Sequence, residues 1–309
     1  MIKKLVKNKE KISLLLVISV FAALTIFGII KERGKNISEE QILEVKKEIE
    51  EQNESVEIFY KDWDKKEKGF EYELTDDMDE VYAALEDIKE ILDRLPEGIV
   101  EEVLRTPEEA KANTVVGSAK ADQGVNIVIC SEIYEENIGG YVTTGLTNYN
   151  YRTQKYNIYI AVKSTENVKR VFAHELYHFF QNRIIVKNRE EECYTSLEWQ
   201  KELPDNFSYY ETYDTVISID SKYTAEAESN IENVYFVTTY SKKKDEEDKC
   251  ELFSYLLSSE GKSNLPRAYK SSHVKKRVKM IIDEIDEYFD TVDENAYWNK
   301  IYNEKVLNY

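Results

Sequence analysis

The chain has 309 residues, with 42 basic against 60 acidic side chains and a net charge of −18 at pH 7. Six lysines and one glutamate fall within residues 1–31, so the remainder carries 36 basic against 59 acidic groups, or −23. So acidic a body argues against nucleic-acid binding, which needs a basic footprint, and its length allows one large or two modest domains with an ample core.

Ile12–Ile30 reads ISLLLVISVFAALTIFGII, an uncharged run of 19 residues that reaches the roughly 20 needed to cross a bilayer. Lys3, Lys4, Lys7, Lys9 and Lys11 precede it; Lys31, Arg33 and Lys35 follow, with Glu32 among them. That bias favours a cytoplasmic tail at 1–11 and an exported body. The run is long for a signal peptide and ends without a small-x-small site, so the reading is an uncleaved signal anchor rather than a cleaved leader. The expectation is a single-pass protein of the cell membrane with its body extracytoplasmic.

Residues 31–75 read as a stalk. Ser38-Glu39-Glu40-Gln41 resembles a capping box opening a helix to about Gln52, charged on most faces, and Val56–Tyr60 suits a short strand. The domain proper is expected at 76–309. Asp76–Leu95 is amphipathic, with Met78, Val81, Leu85, Ile88, Ile91 and Leu92 at helical spacing before Pro96. A short helix at Ile99–Leu104 follows, then β-type runs at Thr114–Ser118, Val125–Cys130 and Asn157–Val162. Gly139-Gly140-Tyr141-Val142-Thr143-Thr144-Gly145 reads as a turn and an extended segment. Cys130, Cys193 and Cys250 are too few and too scattered for a disulfide framework, and buried free thiols are expected.

Asn167–Gln181, NVKRVFAHELYHFFQ, holds two of the three histidines of the chain. His174 and His178, four apart on a helix capped by Ser164 or Thr165, can reach one metal ion, and Glu175 can hold and deprotonate a metal-bound water. This is the H-E-x-x-H arrangement of zinc peptidases, so Zn2+ is the expected cofactor. Such a site wants three protein ligands and an open position. His273 sits in a basic helix start and is set aside as a surface residue, and no third histidine follows His178 at the spacing of an extended motif. A carboxylate is therefore expected. Glu247 and Glu251 share a face with the apolar stripe Cys250, Phe253, Leu256 and Leu257. An acidic pair turned to a core needs a cation; one carboxylate would bind the metal and the other orient a ligand.

Beyond the motif, Glu190–Asp220 has no clean periodicity, and the chain closes with a helix around Val274–Phe289 and the pair Tyr297-Trp298. The motif His174–His178, the run Trp199, Pro204, Phe207 and Tyr209, and Val237-Thr238-Thr239-Tyr240 before Glu247 and Glu251 resemble the gluzincins related to the catalytic domain of anthrax lethal factor. The resemblance covers about residues 76–298 and implies an α+β zincin-like fold: a small sheet packed on the motif helix, with a mostly helical C-terminal part. It assigns Glu247 to the metal, Glu251 to support of a ligand and Tyr240 to the oxyanion, and it implies hydrolysis of a peptide or protein substrate. Two departures stand out: Cys250 where a small residue is usual, and the basic run Lys242-Lys243-Lys244. In folds of this kind an edge strand pairs with substrate, and either Tyr156–Val162 or the Gly140–Thr147 segment is available. The competing reading is a catalytically inactive surface protein that keeps the fold, although an intact Glu175 speaks against it.

Overall fold

The computed structural model describes residues 37–104, 124–135, 141–150, 155–191, 196–210, 219–259 and 265–309. The tail 1–11, the run Ile12–Ile30, the expected strand Thr114–Ser118 and Cys193 lie outside them. Among the described residues no helix is long and apolar enough to cross a membrane.

The stretch expected to be a stalk is part of the domain. Ser38 opens α1 (Glu39–Gln52) with a complete capping box, its side chain and that of Gln41 each accepting the other's backbone N–H. Ile42, Val45 and Ile49 are buried in the main core, where α1 packs on α2 (Met78–Asp93). Three apolar residues at i, i+3 and i+7 leave most of the helix surface charged, which makes a docked helix look solvated. β1 (Val56–Phe59) and β2 (Phe70–Leu74), also from this stretch, both pair with the central strand.

α2 starts on Asp77, which accepts from the N–H groups of Asp79 and Glu80. After α3 (Ile99–Val103) comes β3 (Gly124–Glu135), whose length organises the sheet. Its first half runs parallel to β1 on one side and to β6 (Lys155–Ala161) on the other. Its second half pairs antiparallel with β2 and with β4 (Tyr141–Thr143). β5 (Gly145–Asn150) pairs antiparallel with β6 and lies at the end of the strand order.

Strand alternation sorts the side chains into two cores. Ile58, Val125, Ile127, Ile129, Tyr156, Ile158 and Ile160 join the helices in the main one. Val128, Cys130, Tyr159 and Ala161 face away and are covered by Trp63 and Phe70. The Trp63 Nε1 donates to the Tyr159 hydroxyl at 3.2 Å, and Glu67 accepts from that hydroxyl at 2.7 Å, from Asn157 at 3.1 Å and from Asn148 at 2.9 Å. The segment between β1 and β2 is thus a lid on the outer face of the sheet. Such a cover carries no periodicity to read.

α4 (Val168–Glu191) crosses the inner face. The side chain of Asn167, rather than Ser164 or Thr165, accepts from the Arg170 N–H at 3.0 Å and caps its start. α5 (Ser196–Lys201) follows, then α6 (Asp245–Ser258), α7 (Ser272–Tyr288) and α8 (Tyr297–Ile301). α6 lies along α4 and is pinned by a buried charge. Arg277 of α7 donates to the Asp248 carboxylate and to the Tyr235 carbonyl, Asp248 also accepts from the Tyr209 hydroxyl at 2.9 Å, and Trp199 Nε1 donates to that hydroxyl at 2.9 Å. The aromatic run 199–209 is therefore core for α6. The architecture is α+β: one small mixed sheet with helices on one face and a mostly helical C-terminal part.

Candidate metal centre

The heptad-like rows of α4 put Val171, Phe172 and Phe179 into the core and turn His174, Glu175 and His178 to a cleft. The two imidazole centroids lie 5.1 Å apart. α6 supplies the third group. Glu247 Oε2 sits 3.1 Å from His174 Nε2 and 3.5 Å from His178 Nε2, so one carboxylate oxygen is shared by the two imidazoles. Ligands about 2.0–2.2 Å from one tetrahedral ion stand about 3.3–3.6 Å apart, and the Glu247 oxygen lies at that spacing from His178 and slightly inside it from His174, so the three groups are placed to share a cation.

The outer partners are as specific. Glu251 Oε1 lies 3.0 Å from His174 Nδ1 and accepts from Arg170 Nη1 at 3.1 Å, while its Oε2 accepts from the Thr238 hydroxyl at 2.8 Å. A carboxylate on Nδ1 presents Nε2 to a metal. Cys250 Sγ lies 3.3 Å from His178 Nδ1 and occupies the matching position for the second imidazole. His174, His178 and Cys250 also form a potential ligand cluster in their own right. We favour Glu247 as the ligand, because its oxygen faces both Nε2 atoms whereas Sγ touches a far nitrogen. Burial, with Glu247 nearby, also pushes the Cys250 thiol well above the ordinary range, so without a metal it stays neutral. Cys130 and Cys250 are free and buried.

The electrostatics ask for a cation here. Burial would depress the His174 imidazolium, but hydrogen bonds to Glu247 and Glu251 outweigh it and lift its pKa to about 10. Burial would raise Glu247, but His174 and His178 hold it well below the usual carboxylate range, and His174 does the same more weakly for Glu251. Glu175 differs: burial dominates and pushes it up.

Glu175 is cradled by β5. The Thr147 hydroxyl lies 2.8 Å from Glu175 Oε2 and 2.9 Å from its carbonyl oxygen. A Cβ on Gly145 would stand 2.8 Å from Glu175 Oε1 and 2.7 Å from Val171 Cγ1, so only glycine lets the strand pass. β5 is the edge strand beside the cleft, which Tyr156 of β6 also lines, and β6 is interior, paired on both sides. Tyr240 lies in a short turn before α6, its ring centroid 5.9 Å from that of His174. Although 41% of the residue is exposed, desolvation by the surrounding protein, together with Glu247, Glu175, Glu135 and Glu251, raises its pKa well above the ordinary value. The hydroxyl therefore stays protonated and able to donate. Lys243 Nζ is 3.4 Å from that hydroxyl, and Lys242 is buried, holding the Asp220 and Lys222 carbonyls at 2.8 and 3.2 Å.

All six residues singled out in the sequence (His174, Glu175, His178, Tyr240, Glu247 and Glu251) meet in this one place. His273, set aside in the sequence, stacks on Tyr235 and lies 3.1 Å from Glu202, away from the cleft. Sequence reasoning did not single out Gly145, Thr147 or Arg170. The cleft has a volume of about 410 Å³ and opens beside His174 into a recess of about 220 Å³. Compared with protein-family models, with curated proteins and with solved structures, the chain matches none.

Proposed function

We propose that the protein is a zinc-dependent peptidase of gluzincin type, with a zincin-like fold, held at the outer face of a cell membrane by Ile12–Ile30. The observation that carries this reading is the Glu247 oxygen shared between His174 Nε2 and His178 Nε2, with Glu175 beside them in an open cleft. His174, His178 and Glu247 would hold the ion. Bound there, zinc would polarise the scissile carbonyl and bring the pKa of a water near 7.

The protein's own groups then have distinct tasks. Glu175 takes the proton of the attacking water and passes it to the leaving amine; its raised pKa suits both halves of that task. The Thr147 hydroxyl holds one Glu175 oxygen, and Gly145 lets the strand pass close to the other. Tyr240 donates to the carbonyl oxygen as negative charge grows on it. The outer edge of β5 offers backbone groups to an extended peptide.

Metal analysis and turnover test the reading together. The purified protein is expected to carry one zinc, to lose it in the His174→Ala variant, and to cleave an unstructured protein such as casein in a chelator-sensitive way. Glu175→Gln should keep the zinc and abolish cleavage. Absence of stoichiometric zinc would remove the proposal, and zinc without cleavage of any substrate would leave an inert binding protein. Cobalt substitution separates the two donor sets, because a Cys250 ligand would produce a sulfur-to-cobalt charge-transfer band and a Glu247 ligand would not. Digestion of the body by protease added to intact cells tests the topology; survival until lysis would overturn it.

A further inference from the structure

We propose that the recess on the Arg170 side of the centre receives a carboxylate of the substrate, borne by the residue next to the scissile bond or by the free end of the peptide. The inference rests on the peptidase reading and adds a substrate class to it.

The recess adjoins His174, Glu175 and Tyr240, so whatever fills it lies one residue from the bond being cut. Its remaining wall is Thr143, Thr144, Gly145, Arg170, Val171 and Thr238, with Glu251 behind Arg170. Val171 is the one purely hydrocarbon side chain among these six, so a leucine or phenylalanine side chain would also have to desolvate hydroxyls and a guanidinium. Two of the three threonines are already committed: Thr143 donates to the Gly145 carbonyl at 3.1 Å and Thr238 to Glu251 at 2.8 Å. That leaves Arg170 as the cation of the recess. Its guanidinium lies over the Tyr255 ring, 5.2 Å from the centroid, and is tied through Nη1 to Glu251. These two contacts fix its plane. A guanidinium carries five N–H donors in a fork matched to a carboxylate, and the Glu251 bond uses one of them.

Charge points the same way. In an otherwise acidic protein, the carboxylates of this recess are Glu175 and Glu251, both belonging to the centre. Glu251 is already engaged by hydrogen bonds to His174 and Arg170. The opposite arm of the cleft is different, with Glu135 and Glu246 beside Lys243 and Lys244. An incoming anion therefore meets, on the Arg170 side, a guanidinium with N–H donors left beyond its bond to Glu251, and on the other side a mixed wall.

The test reads binding, so it does not depend on knowing the substrate. Peptidyl hydroxamates, which anchor on zinc, would be titrated calorimetrically into the zinc-loaded full chain. Two series would extend to either side of the anchor, with a carboxyethyl, carbamoylethyl, isobutyl or aminobutyl side chain next to it, and with free or amidated termini. In one series the carboxyethyl or free-acid probe should bind at least tenfold tighter than its isobutyl or amidated counterpart. Which of the two wins identifies the source of the carboxylate. The ratio should collapse in Arg170→Met and largely return in Arg170→Lys. Comparing probes within each variant cancels any common loss of metal through Glu251. A preference for isobutyl, or a ratio unchanged in Arg170→Met, overturns the carboxylate recess and leaves the peptidase reading standing. Failure of every hydroxamate to bind overturns both.

Discussion

At the scale of single residues, the candidate centre is a set of donors whose remaining hydrogen-bonding positions are already occupied. Each histidine has a partner on Nδ1, Glu251 for one and Cys250 for the other, and Glu247 lies on the Nε2 side of both. Tyr240 is the residue whose role is sharpest to test. Its raised pKa means that it works as a neutral donor throughout the physiological range. Tyr240→Phe should fold and retain zinc but lose about 10²-fold or more in turnover, the loss expected for one oxyanion donor. Full activity would make the residue a bystander, and loss of zinc would make it a prop of the metal site. Tyr240 was pointed to by the resemblance alone, whereas the pairing of Glu247 and Glu251 was readable as helical spacing. Thr147 and Arg170 were not, because a threonine on a strand and an arginine on a helix carry no spacing signal until partners approach from other elements.

At the scale of elements, the position of α6 decides whether Glu247 meets the histidines. Its anchor is the fully buried Arg277–Asp248 pair, sandwiched between Trp199 and Phe236, whose ring centroids lie 5.1 and 5.3 Å from the guanidinium. Removing one member of a buried pair leaves an uncompensated charge, so Arg277→Leu should cost about 3–5 kcal/mol of stability. Lys279→Met, on the exposed side of the same helix beside Asp283, should stay within about 0.5 kcal/mol. Urea unfolding of both variants checks the contrast; similar midpoints would mean the pair is not what holds α6. Zinc content of the Arg277 variant should fall with the fold, because the ligand glutamate is adjacent to Asp248.

At the scale of the whole molecule, two cores sandwich one sheet, and several acids are buried in them as neutral groups. Burial pushes the Cys130 thiol and the Tyr72 phenol each up to about 12, and raises Tyr159 and Tyr269 as well. A group whose folded pKa exceeds its unfolded value stabilises fully below the unfolded value and loses that contribution as pH rises through the folded one. With unfolded values near 6.5 for histidine, 8.5 for cysteine and 10 for tyrosine, the urea midpoint of the metal-free protein should decline from about pH 7 toward pH 12, His174 contributing first. A midpoint constant to pH 11 would contradict the buried assignment. Native Cys130 should also resist alkylation at pH 8, where denatured protein reacts.

What the chain determined by itself is local. A period of 3.6 residues announced α2, α4, α6 and α7; cap chemistry announced the start of α1; and histidine spacing on α4, with the resemblance carried by neighbouring motifs, pointed to a metal centre. These signals lie within one element, where sequence separation is spatial separation. Tertiary structure decided the rest: that the presumed stalk is a packed helix and two strands, that β5 rather than β6 is the edge strand at the cleft, that residues 60–70 cover the outer face of the sheet, and that Arg170 borders a recess. Each of those depends on which distant surfaces meet. A three-residue apolar stripe on a charged helix, or a loop with one tryptophan, gains its burial energy only when the partner surface is present, so no local pattern announces it.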